Sequence, residues 1–119
     1  MSTAAEPLSI PTVPYFLVLL LPDRNHAAAS AYFAAHVEFI DAMTEQKAVL
    51  LGGSFESPVD GAEGAYLLHT ATAAEAEQWA AQDPLVVNAV YKPRVVAWHL
   101  VGISAAAIDP RLSGGDEGR

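Results

Sequence analysis

The apolar residues of this chain fall into short runs with two spacings, one typical of strands and the other typical of helices. Residues 15–21, YFLVLLL, are continuously apolar, as in a strand buried on both faces. In residues 27–46, side chains that can face a core recur every three or four positions, which predicts an amphipathic helix. These positions are Tyr32, His36, Phe39, Ile40 and Met43.

The middle of the chain continues with strand patterns. Residues 48–55, AVLLGGSF, predict a second strand, in which Gly52 and Gly53 indicate a bulge or a close approach of another backbone. Residues 56–64 are rich in turn-forming residues and predict a loop. Residues 65–71, AYLLHTA, predict the third strand.

The last third of the chain predicts a helix, a helical turn and a strand. Thr72 is an expected N-cap, with Glu75 three positions later as in a capping box, so a helix is expected over residues 73–82. Asp83 followed by Pro84 predicts the start of a second, short helix. Residues 94–102, RVVAWHLVG, predict the last strand.

The predicted order, β-α-β-β-α-β, is that of a ferredoxin-like α+β fold, with two helices on one face of a four-stranded antiparallel sheet. The last strand carries apolar residues on both faces, so the face without helices also needs a cover. A second copy of the chain is the simplest cover, and we expect a homodimer or a larger homo-oligomer with sheets face to face.

Length and composition favour one domain. A chain of 119 residues fits a single core, which we expect over residues 14–103, between a flexible N-terminal segment, residues 1–13, and a flexible C-terminal tail, residues 104–119. Hydrophobic residues make up 52% of the chain and charged residues 17%, which is too apolar for a disordered protein.

Charge and cysteine content exclude several classes of function. A net charge of −8 with only six basic residues disfavours nucleic acid as a partner. The absence of cysteine excludes disulfides and thiolate chemistry. Residues 15–21 are too few to span a membrane, and residues 1–12 lack the pattern of a signal peptide, so no membrane association and a cytoplasmic location are expected.

Two residues are candidates for acid–base chemistry. His36 lies in the core-facing stripe of the first helix, where it is either a buried neutral imidazole or a general acid or base. Asp83 has a sufficient local explanation as a helix cap, but a carboxylate at that junction can also orient an imidazole. The residues alone leave both interpretations open.

Other polar residues suggest binding rather than chemistry. Ser54, beside Gly53, offers a hydroxyl near a closely approached backbone, and Tyr32 and Tyr91 are candidates to line a pocket.

The other histidines are not expected to take part in chemistry. His69 and His99 fall in predicted strands as packing residues, and His26 is expected to be solvated. No metal site and no cofactor are predicted, because the histidine spacings match no metal motif and no nucleotide-binding motif occurs. Glu38, Asp41 and Glu45 are expected to form a solvated outer face of the first helix.

Four segments resemble the YCII-related family over residues 14–103. They are "AAHVEFI", "VLLGGSF", "GAYLLHTATAAEAEQWAAQDPLVVNAVY" and "VVAWHLV". The resemblance implies a dimeric α+β barrel in which the helical His36 and Asp83 of the Asp-Pro junction are the catalytic pair. The family also resembles muconolactone isomerases, and its best understood enzyme type removes chloride from a chlorinated hydroxyquinol. This chain departs from the family at Phe33, where relatives often carry an arginine.

We therefore predict a small, cofactor-independent lyase or isomerase, dehydrochlorinase-like or dehydratase-like. In this prediction His36 moves a proton on a small cyclic or aromatic substrate, Asp83 orients His36, and Tyr32, Gly53, Ser54 and Tyr91 bind the substrate. One alternative is a non-catalytic dimeric module that binds a small molecule or a partner protein. Another is a cofactor-free monooxygenase or cyclase that acts on aromatic polyketide-like compounds.

Overall fold

The computed structural model describes residues 15–102, which form a four-stranded antiparallel sheet with α-helices packed on one face. The expected flexible segments, residues 1–13 and 104–119, lie outside the described residues. The strands are β1 (Tyr15–Pro22), β2 (Val49–Val59), β3 (Ala62–His69) and β4 (Tyr91–Trp98). The α-helices are α1 (Ala29–Glu45), α2 (Ala73–Ala80) and α3 (Pro84–Val87), and a 3-10 turn, His26–Ala28, precedes α1.

The spatial order of the strands is β2-β3-β1-β4, and each neighbouring pair is antiparallel. This confirms the predicted ferredoxin-like α+β fold. Alternate residues of β1 point to the two sides of the sheet, and Phe16, Val18 and Leu20 belong to the core beneath the helices. Met43 of α1 and Ala76 and Ala80 of α2 close this core from above.

The segment predicted as a loop, residues 56–64, is instead a β-hairpin, and that prediction is wrong. β2 continues to Val59, and β3 begins at Ala62 after a two-residue turn. Asp60 and Gly61 both have positive φ, 51° and 87°, as an Asp-Gly hairpin turn requires. The ladder is irregular between Ser54 and Val59, and this irregularity allows Pro58 and other turn-forming residues to lie within a strand.

The last strand also differs from its predicted bounds. β4 begins at Tyr91 rather than at residue 94, and it ends at Trp98, so His99 lies beyond the strand. Pro93 lies within β4 without breaking it, because β4 is an edge of the sheet and an edge strand tolerates a residue that cannot donate a hydrogen bond.

The capping residues that position the site follow the sequence prediction. The Thr72 side chain accepts a hydrogen bond from the Glu75 backbone N–H at 3.1 Å, which starts α2. α2 ends at Ala80, two residues earlier than expected. Asp83 then caps α3, and its side chain accepts from the Leu85 backbone N–H at 2.9 Å.

Gly52 confirms the expected close approach of a neighbouring backbone. A Cβ atom at this position would lie 2.7 Å from Cβ of Tyr66 on β3, a distance that side chains do not tolerate. A Cβ atom at Gly53 would meet nothing within 4 Å. Only the first of the two glycines is therefore required by packing.

Candidate active site

His36 lies on α1 with its imidazole directed toward the junction between α2 and α3. α1 packs against α3, which brings the middle of α1 over the residue that caps α3. The side chain of His36 is 15% exposed. The imidazole is therefore largely shielded from water but is not sealed in the core.

Asp83 is the partner of His36 and is completely buried. His36 Nδ1 lies 2.9 Å from both Oδ1 and Oδ2 of Asp83, and Oδ1 also accepts from the Leu85 backbone N–H. The same carboxylate thus caps α3 and holds the imidazole. The cap and the pair are compatible because a carboxylate offers several acceptor positions on two oxygens.

The geometry determines which nitrogen of His36 carries the proton. A carboxylate oxygen accepts hydrogen bonds, so in this contact Nδ1–H is the donor. In the neutral imidazole, the lone pair then lies on Nε2, which points away from Asp83. His36 in this arrangement presents an unprotonated ring nitrogen to its surroundings, as a general base must.

His36 opens into a cavity of about 360 Å³ between α1 and the sheet, a size typical of small-molecule sites. Among the predicted binding residues, Gly53, Ser54 and Tyr91 line this cavity, whereas Tyr32 does not. Phe33 also lines the cavity; the residue is 59% exposed, and its ring centroid lies 5.9 Å from that of His36.

Tyr66 also lines the cavity, and the sequence pattern does not distinguish it from a core residue. Its side chain is buried, and its hydroxyl has no hydrogen-bond partner. Burial, with a smaller effect from the Asp83 carboxylate, raises the pKa of Tyr66 above the ordinary tyrosine value. The hydroxyl is therefore protonated and unsatisfied next to the His36–Asp83 pair.

Glu63 and Asp41 are cavity residues that the sequence does not indicate. Glu63 falls in the stretch predicted as a loop, and Asp41 belongs to the face of α1 that we expected to be solvated. Asp41 is exposed but lines the cavity, so the expected outer face is not wholly separate from it. The Asp-Gly pair that follows Val59 could have indicated the hairpin and placed Glu63 on a strand.

The remaining histidines do not join the His36–Asp83 pair. His69 stacks on Tyr15 with ring centroids 4.9 Å apart. His26, expected to be solvated, has a side chain that is 40% exposed, and its Nε2 lies 2.8 Å from Glu63 Oε1. Within residues 15–102, no cluster of three or more His, Asp or Glu side chains could hold a metal ion. In the same range, no helix is long and apolar enough to cross a membrane.

This chain is similar to known proteins both in sequence and in fold. The sequence model of the YCII-related domain family matches residues 15–99 of this chain. The fold is similar to that of 5-chloro-2-hydroxyhydroquinone dehydrochlorinase from Burkholderia phenoliruptrix, solved in complex with 2,5-dihydroxybenzoquinone. The TM-score is 0.55 at 16% identity, over 71% of this chain and 92% of that chain. A search of curated proteins gives no significant match.

Proposed function

Because this chain belongs to the YCII-related domain family, we propose that it is a small lyase-type enzyme. The family match confirms the resemblance indicated by the sequence. In the proposed reaction, His36 accepts a proton from a small cyclic substrate in the cavity. Asp83 holds the imidazole in the orientation and tautomer that this step needs.

The observation that carries the proposal is the buried contact between His36 Nδ1 and both oxygens of Asp83, at 2.9 Å, beside an open cavity. A non-catalytic binding module has no need for a buried carboxylate on the far side of a pocket histidine. A helix cap alone would be satisfied by the Leu85 N–H. The contact therefore favours an enzyme over a binding module.

The proposed step is an elimination. His36 Nε2 takes a proton from the substrate, the electron pair of the broken bond to hydrogen forms a new double bond, and the leaving group departs with the electrons of its bond to carbon. The imidazolium that forms is stabilised by the Asp83 carboxylate, because an opposite charge in a poorly solvated site favours the charged form. The protonated His36 can then return the proton to the leaving group or to water.

The similarity of fold to a dehydrochlorinase supports a first substrate to test, 5-chloro-2-hydroxyhydroquinone. The test measures chloride release by the wild type and by His36→Gln. We expect His36→Gln to lower kcat/KM at least about 100-fold, the usual contribution of a general base. His99→Gln is the matched control, because His99 is exposed and lies beyond β4.

Chloride release that is the same in His36→Gln and the wild type would contradict the proposed role of His36. If the wild type does not release chloride, the same variants are compared on other halogenated or hydroxylated cyclic substrates. Activity on any of them that does not depend on His36 would contradict the proposal.

We also propose that the enzyme is a homodimer with the two sheets face to face. Among residues 15–102, the α-helices all contribute to the core on one side of the sheet. The other side carries alternate residues of the same strands, among them Leu17, Leu19 and Val96. Trp98 on this side is 46% exposed, which is a large exposed fraction for a tryptophan. A second copy of this face is an apolar cover of matching size.

A further inference from the structure

Glu63 is a charged residue of the cavity that the proposed proton transfer does not use. Tyr91 donates its hydroxyl hydrogen to Glu63 Oε1 at 2.6 Å, and His26 Nε2 lies 2.8 Å from the same oxygen. Within residues 15–102, both hydrogen bonds of the Glu63 side chain are made by Oε1. Oε2 is therefore left as an acceptor on a side chain that is one-third exposed.

The hydrogen bonds of Glu63 favour an ionised Glu63 and a neutral Tyr91. The hydrogen bond from Tyr91, followed by that from His26, lowers the pKa of Glu63 below its ordinary value. Burial, followed by the hydrogen bond to Glu63, raises the pKa of Tyr91 to about 12. At neutral pH Glu63 is a carboxylate held by a neutral tyrosine.

The charges that line the cavity are negative. Glu63 and Asp41 contribute carboxylates, and no lysine or arginine is among the lining residues that the structure describes. An anionic ligand in this cavity would meet two like charges and, within residues 15–102, no lining lysine or arginine to compensate them, which costs binding free energy. A neutral ligand does not incur this cost.

The rest of the cavity wall suits an apolar ring. Phe33 and Val37 form an exposed rim, and Leu20 and Ile40 lie deeper in the wall. A ligand that matches both the apolar side chains and the Glu63 carboxylate has an apolar body and a polar group that can donate a hydrogen bond to the carboxylate. A hydroxyl group on a ring meets both requirements.

We infer that Glu63 is a specificity-determining residue, whose Oε2 accepts a hydrogen bond from a hydroxyl of a neutral cyclic ligand and whose charge excludes carboxylates. Tyr91 and His26 act as positioning residues for Glu63. The inference deepens the proposed function and rests on it in one respect, because it takes the cavity beside His36 as the substrate site.

The test is a binding titration of the purified full-length chain with three probes that share a benzene ring. Hydroquinone is neutral and donates hydrogen bonds, 1,4-dimethoxybenzene is neutral and does not donate, and 4-hydroxybenzoate is an anion at pH 7. Isothermal titration calorimetry or NMR titration gives the three dissociation constants. We expect hydroquinone to bind about tenfold more tightly than either of the others, since hydrogen bonds to charged groups are the strong ones.

The variant that tests the residue is Glu63→Gln, with Glu38→Gln as the matched control. Glu38 is exposed on α1 and does not line the cavity, so its variant removes the same charge from another surface. We expect Glu63→Gln to weaken hydroquinone binding about tenfold and to strengthen 4-hydroxybenzoate binding severalfold. Glu38→Gln should leave both constants within about twofold of the wild type.

A second variant keeps the test decisive if Glu63→Gln fails to fold. Tyr91→Phe retains the carboxylate but removes the hydrogen bond that orients it. Hydroquinone binding should weaken about threefold, while 4-hydroxybenzoate stays excluded. Stronger binding of 4-hydroxybenzoate to Tyr91→Phe would overturn the inference.

The inference is also overturned if the wild type binds 4-hydroxybenzoate as tightly as hydroquinone, or binds none of the probes. It is equally overturned if Glu63→Gln changes neither constant. These results would leave the role of His36 untouched, since that role is measured by turnover. Conversely, full turnover by His36→Gln with the expected probe selectivity would contradict the proposed function alone.

Discussion

At the scale of single residues, Asp83 joins a structural role to a proposed chemical one. Its Oδ1 accepts from the Leu85 N–H, and both of its oxygens contact His36 Nδ1. A fully buried carboxylate needs such partners, because burial without them would be strongly unfavourable. Stability and activity therefore depend on the same side chain, and substitutions can separate the two.

Asparagine and alanine at position 83 provide that separation. Asp83→Asn keeps an oxygen that can accept from the Leu85 N–H, so we expect the free energy of unfolding to fall by less than about 1 kcal/mol. Asp83→Ala removes the cap and leaves His36 unpartnered, which should cost about 2 kcal/mol or more. Urea denaturation measures both values. Equal losses of stability in the two variants would contradict the capping role.

The unpartnered hydroxyl of Tyr66 permits a second prediction at this scale. A buried hydroxyl without a hydrogen bond is unfavourable by about 1 kcal/mol or more. Tyr66→Phe should therefore raise the free energy of unfolding by about 1 kcal/mol, as measured by urea denaturation without ligand. A loss of stability in this variant would indicate that the hydroxyl has a partner in solution.

At the scale of elements, α1 presents two neighbouring stripes to different surroundings. Phe39 and Met43 face the core, whereas Phe33, Val37 and Asp41 face the cavity. His36 and Ile40 lie between the two stripes.

The periodicity of the sequence predicts the core stripe of α1, but it cannot show where the helix is separated from the sheet by a cavity. For this reason the sequence predicts Tyr32 at the pocket and does not predict Asp41 there.

The close packing of β2 against β3 requires a glycine at position 52 but not at position 53. Gly52→Ala would bring a Cβ atom to 2.7 Å from Cβ of Tyr66, so the strands must shift. We expect a loss of about 1–3 kcal/mol in the free energy of unfolding, the usual cost of overpacking. Gly53→Ala is the matched control and should change stability by less than about 0.5 kcal/mol. Similar losses in both variants would contradict the close approach at Gly52.

At the scale of the whole molecule, the order of elements could be predicted from the sequence because each element has a local signal. The continuous apolar run of β1, the Thr72 cap and the Asp83-Pro84 start of α3 each specify an element without knowledge of the rest. The cavity has no such signal. It is formed by residues from α1, α3 and the sheet, and Glu63 and Tyr66 are indistinguishable from ordinary strand residues until the strands are paired.

The proposed dimer is also a property of the whole molecule. Trp98→Glu places a charge on the sheet face opposite the helices, so we expect light scattering to give the mass of two chains for the wild type and of one chain for the variant. Val87→Glu is the control, because Val87 is 65% exposed on α3, on the helical side. A wild type with the mass of one chain, or a Trp98→Glu variant with the mass of two, would contradict this interface.

The proposed proton transfer requires that His36 present a basic Nε2 to the cavity while Asp83 keeps the proton on Nδ1. Nitrogen-15 NMR of the His36 imidazole in its neutral form reports directly which ring nitrogen carries the proton. We predict protonated Nδ1 and unprotonated Nε2 in the wild type, and a shift of the proton toward Nε2 in Asp83→Asn, whose amide can donate to Nδ1. A wild-type proton on Nε2, or the same tautomer in both proteins, would contradict the central claim.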